Sequence, residues 1–296
     1  MLAGVSHLGD FLREGWCWGG GGEWLRLGHA KVMLTLTTGA LQPDLDALRR
    51  LVQRAHQAGF PVAVHAVERE AIVAAARVFQ EMPLGPPSTR AALSPPRSER
   101  GVVRRGTQAA LTVRDRIEHC AECPPELVAQ VRRSGATVVT QPGFIYWNGD
   151  RYRERVEPPL LGSLYPVGGL VRSGVSVSFG SDAPVIDPNP WPAIHSAVTR
   201  VTRSGRELCR DGRSGPTLQQ EVSVESAIRM YTVAGACAEG TQELKGTIRR
   251  GKLADLVLLD QDPTSVDPSS LKDIRPVLTV LGGRVVWQNG LIAGGG

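Results

Sequence analysis

The sequence has no run of eighteen apolar residues, so none of it is expected to span a membrane. Met1 to Gly22 lacks a basic start followed by an apolar stretch, which argues against export and for a cytoplasmic location. Cysteine is scarce: five in 296 residues, an odd count, excludes a small disulfide framework and suits thiols of a reducing compartment. Lysine is nearly absent, because all but four of the 34 basic residues are arginine. Aromatic residues make up only 5% and do not interleave with the basic ones, as a nucleic-acid stacking platform requires. The net charge of +5 is diffuse, so no nucleic-acid partner is expected. Several catalytic signatures are missing as well. There is no Gly-x-Ser-x-Gly elbow, no His-Glu-x-x-His, and no glycine-rich turn between a strand and a helix of the dinucleotide-binding kind.

What is present is a 42% apolar share, enough to bury a core, arranged as short strands alternating with helices. Apolar runs starting near positions 31, 61, 114, 136 and 175 read as five buried strands. Helical periodicity follows at 44–58, 68–79, 125–134, 167–173, 191–204 and 224–238. Repeated strand-then-helix units imply a parallel sheet with right-handed crossovers. The strand at 31–37 is expected at the sheet edge. Residues 144–164 read as a long loop carrying aromatic residues. The stretch 82–111, rich in Pro and Arg, reads as an insert. From about Leu244 the pattern changes to strands alone, the last two joined by Gly282-Gly283, a hairpin signal. A (β/α)₈ barrel needs eight strands over about 250 residues. The five strands therefore belong to an open sheet or to the back part of a barrel.

Three side chains stand where a parallel strand ends, the side on which α/β folds bind ligands. They are His65 in Val-Ala-Val-His, His119 in Ile-Glu-His-Cys and Asp182 in Phe-Gly-Ser-Asp. Two imidazoles and a carboxylate from separate strands suit zinc, although each alone also fits an ordinary packed histidine or turn aspartate. Cys120-Ala-Glu-Cys123 has redox or metal spacing but no second cysteine pair, which favours buried thiols beside the site. His56 and His195 read as helix-surface residues. Tyr146, Trp147 and Arg151 lie beyond a strand end and are candidates for a substrate pocket.

Val62-Ala-Val-His65, Arg116-Ile-Glu-His119-Cys, Gly180-Ser-Asp182-Ala-Pro and the tail Lys245-Gly-Thr-Ile-Arg-Arg-Gly-Lys-Leu-Ala-Asp resemble the amidohydrolase superfamily. Within it they resemble the metal-dependent subgroup that includes N-substituted formamide deformylase. The resemblance implies a partial TIM-like barrel, about strands four to eight, over residues 1–243, and strands of a small composite β-sandwich over 244–296. It implies a divalent metal, zinc, held by His65, His119 and Asp182, with Lys31 as a carboxylated ligand and Asp182 also as proton shuttle. The implied substrate is a small amide or formamide, cleaved at a carbon–nitrogen bond, and the implied enzyme can be oligomeric. The family's first strand ends in His-x-His, which this sequence lacks. The chain is therefore expected to be a C-terminal portion of such an enzyme. The rival expectations are a catalytically inactive remnant of it and a basic binding module.

Overall fold

The computed structural model describes residues 3–22, 25–36, 39–82, 113–209 and 219–290. The Pro- and Arg-rich insert falls almost wholly outside them. Two compact units form: 1–139 with 173–176 and 238–240, and 140–172 with 177–237 and 241–296.

The first unit is an α/β layer. Its five strands are β1 (Ala3–Gly4), β2 (Ala30–Met33), β3 (Val62–Ala66), β4 (Arg116–His119) and β5 (Thr137–Thr140). They pair in that order, all parallel. A 3-10 turn at Val5–His7 and α1 (Leu8–Arg13) follow β1. The crossovers carry α2 (Leu45–Gln57), α3 (Arg69–Glu81) and α4 (Pro125–Ser134). Asp44 caps α2 by accepting the Ala47 N–H at 2.7 Å. Gly135 ends α4 in the left-handed conformation, φ 69°, which glycine adopts without steric cost. The expected edge at β2 is a correction: β1 pairs with it. Two residues are too few to show a period-2 pattern, so the sequence carried no sign of this strand.

Register makes the sheet two-faced. Val32, Val64, Ile117 and Val138 align on one face and are buried. Leu48, Val52, Ile72, Val78, Phe79 and Val131 of the helices are buried too. Each large side chain so buried contributes about 1.5–3 kcal/mol. The opposite face carries Lys31, His65, Arg116 and Glu118, because Lys31 aligns with Ala63 and Arg116, and His65 with Glu118. A sheet face bearing four ionisable side chains is a place for chemistry.

The second unit contains α5 (Gly143–Arg155), α6 (Pro158–Leu161), α7 (Val167–Arg172), β6 (Val177–Phe179), α8 (Pro190–Thr199), α9 (Val224–Tyr231) and α10 (Val233–Glu239). The expected loop at 144–164 is a correction: most of it is α5 and α6. Gly143 and Gly149 of α5 are both contact points. A Cβ at Gly149 would stand 2.6 Å from Thr202 Cγ2, and one at Gly143 2.7 Å from Ile186 Cδ1. The single helix expected at 224–238 is broken at Thr232, φ −108°, ψ −83°. Then β7 (Leu256–Leu259), a 3-10 turn at Pro268–Asp273, β8 (Pro276–Leu281) and β9 (Arg284–Gln288) complete the unit. These three strands form an antiparallel sheet in chain order. Gly282 and Gly283 both have positive φ, 56° and 81°, as the two-residue turn between β8 and β9 requires. Among the described residues no helix is long and apolar enough to cross a membrane.

Candidate metal centre

His65 is the fourth residue of β3 and reaches the polar face by simple alternation. His119, the last residue of β4, aligns with Ala66, so alternation alone would turn it toward the helices. Its backbone prevents that. His119 and Cys120 are both left-handed, φ 72° and 50°, a conformation costing non-glycine residues on the order of 1–3 kcal/mol each. The turn is tied down by Cys120 N–H donating to Ala66 O at 3.0 Å and Glu122 N–H donating to Val67 O at 2.9 Å. The outcome is that His119 Nε2 lies 2.9 Å from His65 Nδ1, with the rings edge to face.

Burial, then the neighbouring His119, then the Lys31 ammonium lower the His65 pKa from 6.5 to about 4. The imidazole is therefore neutral at physiological pH, the form that offers a lone pair to a metal. Two nitrogens bound to one tetrahedral zinc at about 2.0–2.1 Å stand about 3.3 Å apart, so a 2.9 Å pair fits after a few tenths of an ångström of movement. Lys31 is the second residue of β2, two registers short of the strand end, and its charge is felt at His65. Glu118, beside His65, is already engaged: Arg116 Nε and Nη2 each donate to its Oε1 at 2.8 Å. The alternation Arg116-x-Glu118 was the signal that could have placed this pair on the His65 face, and sequence reasoning passed over it.

Asp182 follows β6 in the second unit. It is exposed and left-handed, φ 57°, and its carbonyl accepts the Val185 N–H at 3.0 Å. Among the described residues no group of three or more His, Cys, Asp or Glu side chains is arranged to hold a metal ion. The structure thus brings His65 and His119 together as a pair. Cys120 and Cys123 are fully buried, and the hydrogen bond between them, then burial, push the Cys120 thiol pKa well up. Neither is the exposed, electropositive setting of a reactive thiolate.

In the second unit Tyr146 and Trp147 lie on the first turn of α5, half-buried, rings edge to face at 5.2 Å. Arg151, one turn on, is exposed. Arg203 stacks over Trp147 at 4.9 Å, a contact with no sequence signal. His195, expected on a helix surface, is instead buried in α8, 5.8 Å from the Tyr146 ring. Burial, then Lys272, bring its pKa down to about 4. His56 is likewise drawn in, its Nε2–H donating to Asp115 Oδ1 at 3.0 Å. Both corrections have one cause. A helix that packs on two sides buries residues that a one-sided apolar stripe would leave in water.

Comparison with known proteins follows the same lines. N-substituted formamide deformylase of Arthrobacter pascens is 30% identical over 187 residues, 63% of this chain and 33% of that protein. Amidohydrolase YtcJ of Bacillus subtilis is 26% identical over 254 residues, 85% of this chain and 42% of that one. The chain thus spans less than half the length of these curated relatives. A metal-dependent hydrolase structure from Pyrococcus horikoshii superposes with a TM-score of 0.67 at 21% identity, over 89% of this chain and 50% of its own, a likeness of fold. The amidohydrolase family matches residues 8–287, nearly the whole sequence, and the chain belongs to that family.

Proposed function

We propose that this chain is part of a metal-dependent hydrolase that cleaves a carbon–nitrogen bond other than a peptide bond, in a small amide or formamide. The observation that carries the reading is the His65–His119 pair, two imidazoles from the ends of neighbouring parallel strands, brought to 2.9 Å by a strained turn. The relative named as a formamide deformylase supports the substrate class. His65 and His119 would hold the metal, which we take to be zinc, and Lys31 would serve as a further ligand once carboxylated. A divalent ion bound there would polarise the substrate carbonyl and lower the pKa of water toward about 7. Asp182, just after β6, would supply a carboxylate. It takes the proton of the attacking water and returns it to the leaving nitrogen, general base and then acid. Tyr146 and Trp147 offer an apolar wall for the substrate's substituent, and Arg151 a charge at its rim.

We further infer that the strands after residue 244 are one part of a composite β-sandwich within a longer barrel protein. Val257, Val285 and Trp287 support this, being 55%, 57% and 46% exposed on a sheet that buries neither face. A second reading, a metal-poor remnant without activity, is favoured by one fact: the described residues assemble no three-ligand group. Metal analysis of the purified chain, with zinc-supplemented turnover of N-formyl and N-acyl amines, separates the two. Turnover that disappears in His119→Ala supports the hydrolase. A chain that binds no zinc and turns over none of the panel is the remnant.

A further inference from the structure

Beyond α8 the chain turns back onto α5 as a short hairpin. Val201 bridges Glu207 antiparallel, and Thr202 N–H donates to Arg206 O at 2.8 Å. Gly205, φ 83°, closes the turn by donating its N–H to Thr202 O at 3.0 Å, which leaves Arg203 and Ser204 as the two central residues. Gly149 permits the close approach, since a Cβ there would stand 2.6 Å from Thr202 Cγ2. One carboxylate oxygen then clasps the hairpin. Asp150 Oδ1 accepts the Ser204 hydroxyl at 2.7 Å, the Thr202 hydroxyl at 3.0 Å, and Arg206 Nη2 and Nε at 2.8 and 3.0 Å. At the tip, Arg203 N–H donates to Tyr146 O at 2.9 Å, and its guanidinium lies over the Trp147 ring at 4.9 Å.

The clasp fixes a cation that nothing neutralises. Arg203 is exposed, and among the described residues its guanidinium has neither a hydrogen bond nor an ion pair. A guanidinium held by its face keeps its in-plane N–H fork for a planar anion. Arg151, one turn beyond Trp147 on α5, is exposed and unpaired in the same sense, while Asp150 between them is already taken by the hairpin. We propose that Arg203 on Trp147, with Arg151 one turn on, is a subsite for a carboxylate of the substrate, and that Asp150 is the positioning residue that holds Arg203 there. The substrates it selects are small amides or formamides that carry a carboxylate. The proposal rests on the reading of Trp147 as a substrate-binding residue, but not on metal binding.

The test titrates the full chain with N-formylglycine and with N-formylglycinamide, probes of one size that differ in a single charge. The readout is the Trp147 indole N–H signal, identified by its loss in Trp147→Phe. The acid is expected to shift that signal at about fivefold lower concentration than the amide, the upper end for an exposed ion pair. Arg203→Met keeps an apolar cover on the ring without the charge, and should remove the preference. Arg203→Lys keeps the charge without the planar fork, and should remove most of it. Asp150→Ala should lower the preference by freeing the hairpin, and Asp150→Asn, which keeps an acceptor for the two hydroxyls, should restore part of it. A signal that moves equally with both probes or with neither, or a preference unchanged in Arg203→Met, would overturn the subsite. A preference unchanged in Asp150→Ala would overturn the positioning role. Should Asp150→Ala fail to melt cooperatively, the exposed Arg203 variants still decide the subsite and Asp150→Asn against wild type decides the clasp. Zinc-supplemented turnover is measured separately. Acid preference without turnover counts against the hydrolase reading and leaves the subsite standing, whereas turnover without acid preference does the reverse.

Discussion

Nδ1 of His65 and Nε2 of His119 face each other at 2.9 Å, and only the first reaches that point by following its strand. His119 gets there through a left-handed residue at the strand's last position. The geometry of the pair is therefore a property of the turn after β4 as much as of the sheet.

Removing either ring should abolish the pair as a chelate. His65→Ala and His119→Ala are each expected to weaken zinc binding by more than the roughly 10- to 100-fold that loss of an outer-sphere partner costs. His65→Ala should lower the melting temperature little, because His65 is only part-buried, whereas His119 is 5% exposed and its removal should cost more. Equilibrium dialysis against a zinc chelator measures the first effect and thermal melts the second. Equal zinc affinity in both variants and wild type would move the metal site elsewhere.

Acid should destabilise the protein through histidines that are neutral when folded. Burial, then Arg116, hold His29 at about 3, against 6.5 when unfolded. Above pH 6.5 both states are neutral and His29 adds no pH dependence. Between 6.5 and 3 the unfolded chain takes up a proton that the folded chain refuses, so stability falls as pH drops. His195, at about 4, acts in the same direction. Each contributes at most about 1.4 kcal/mol per pH unit. Urea midpoints should fall between pH 7 and pH 4.5, and less so in His29→Gln, which keeps a donor for the Arg114 carbonyl 3.1 Å away. An identical slope in that variant would exclude His29 as a source.

The sequence showed the strand–helix rhythm because apolar runs and caps are local. Four strands at 30–33, 62–66, 116–119 and 137–140, and helices such as α2 and α4, lie within a few residues of where periodicity puts them. His65 and His119 were legible for the same reason, as polar residues closing apolar runs. The helix at α5 was not legible. Its buried residues, Gly143, Phe144, Ile145 and Gly149, make no continuous stripe, and the helix is stabilised by what packs on it. Nor could the left-handed turn at His119 be read, since histidine does not announce positive φ as glycine does. Long-range partners such as Asp115 with His56, 59 positions apart, leave no pattern at all.

That last contact makes its own prediction. Asp115 is buried, and its Oδ1 accepts both the His56 Nε2–H and, at 2.7 Å, the Val62 N–H that opens β3. Asp115→Ala leaves the Val62 donor unpaired in the interior, a loss of about 1–3 kcal/mol. For a chain of this size that lowers the melting temperature by several degrees. Asp115→Asn keeps an acceptor oxygen for Val62 and should lose less. If the two variants melt alike, the Val62 bond contributes nothing.

Gly143 ties the fold to the aromatic wall. It opens α5 one turn before Tyr146 and Trp147, and a Cβ there would meet Ile186 Cδ1 at 2.7 Å and Ala193 Cβ at 3.3 Å. The isoleucine methyl can swing aside. Ala193 cannot, because it is buried within α8 and has no rotamer to change. Gly143→Ala should therefore push α5 from α8, costing about 1–3 kcal/mol as overpacking does. The same movement separates Tyr146 from His195, whose rings now lie 5.8 Å apart. The near-ultraviolet dichroism of the tyrosine and tryptophan should change while the far-ultraviolet signal holds. If Tyr146 and Trp147 line the substrate pocket as proposed, KM for N-acyl amines with bulky substituents should rise more than kcat falls in a protein competent for turnover. A variant with unchanged aromatic dichroism and a lowered melting temperature would show that α8 yields instead, and that the wall does not depend on this contact.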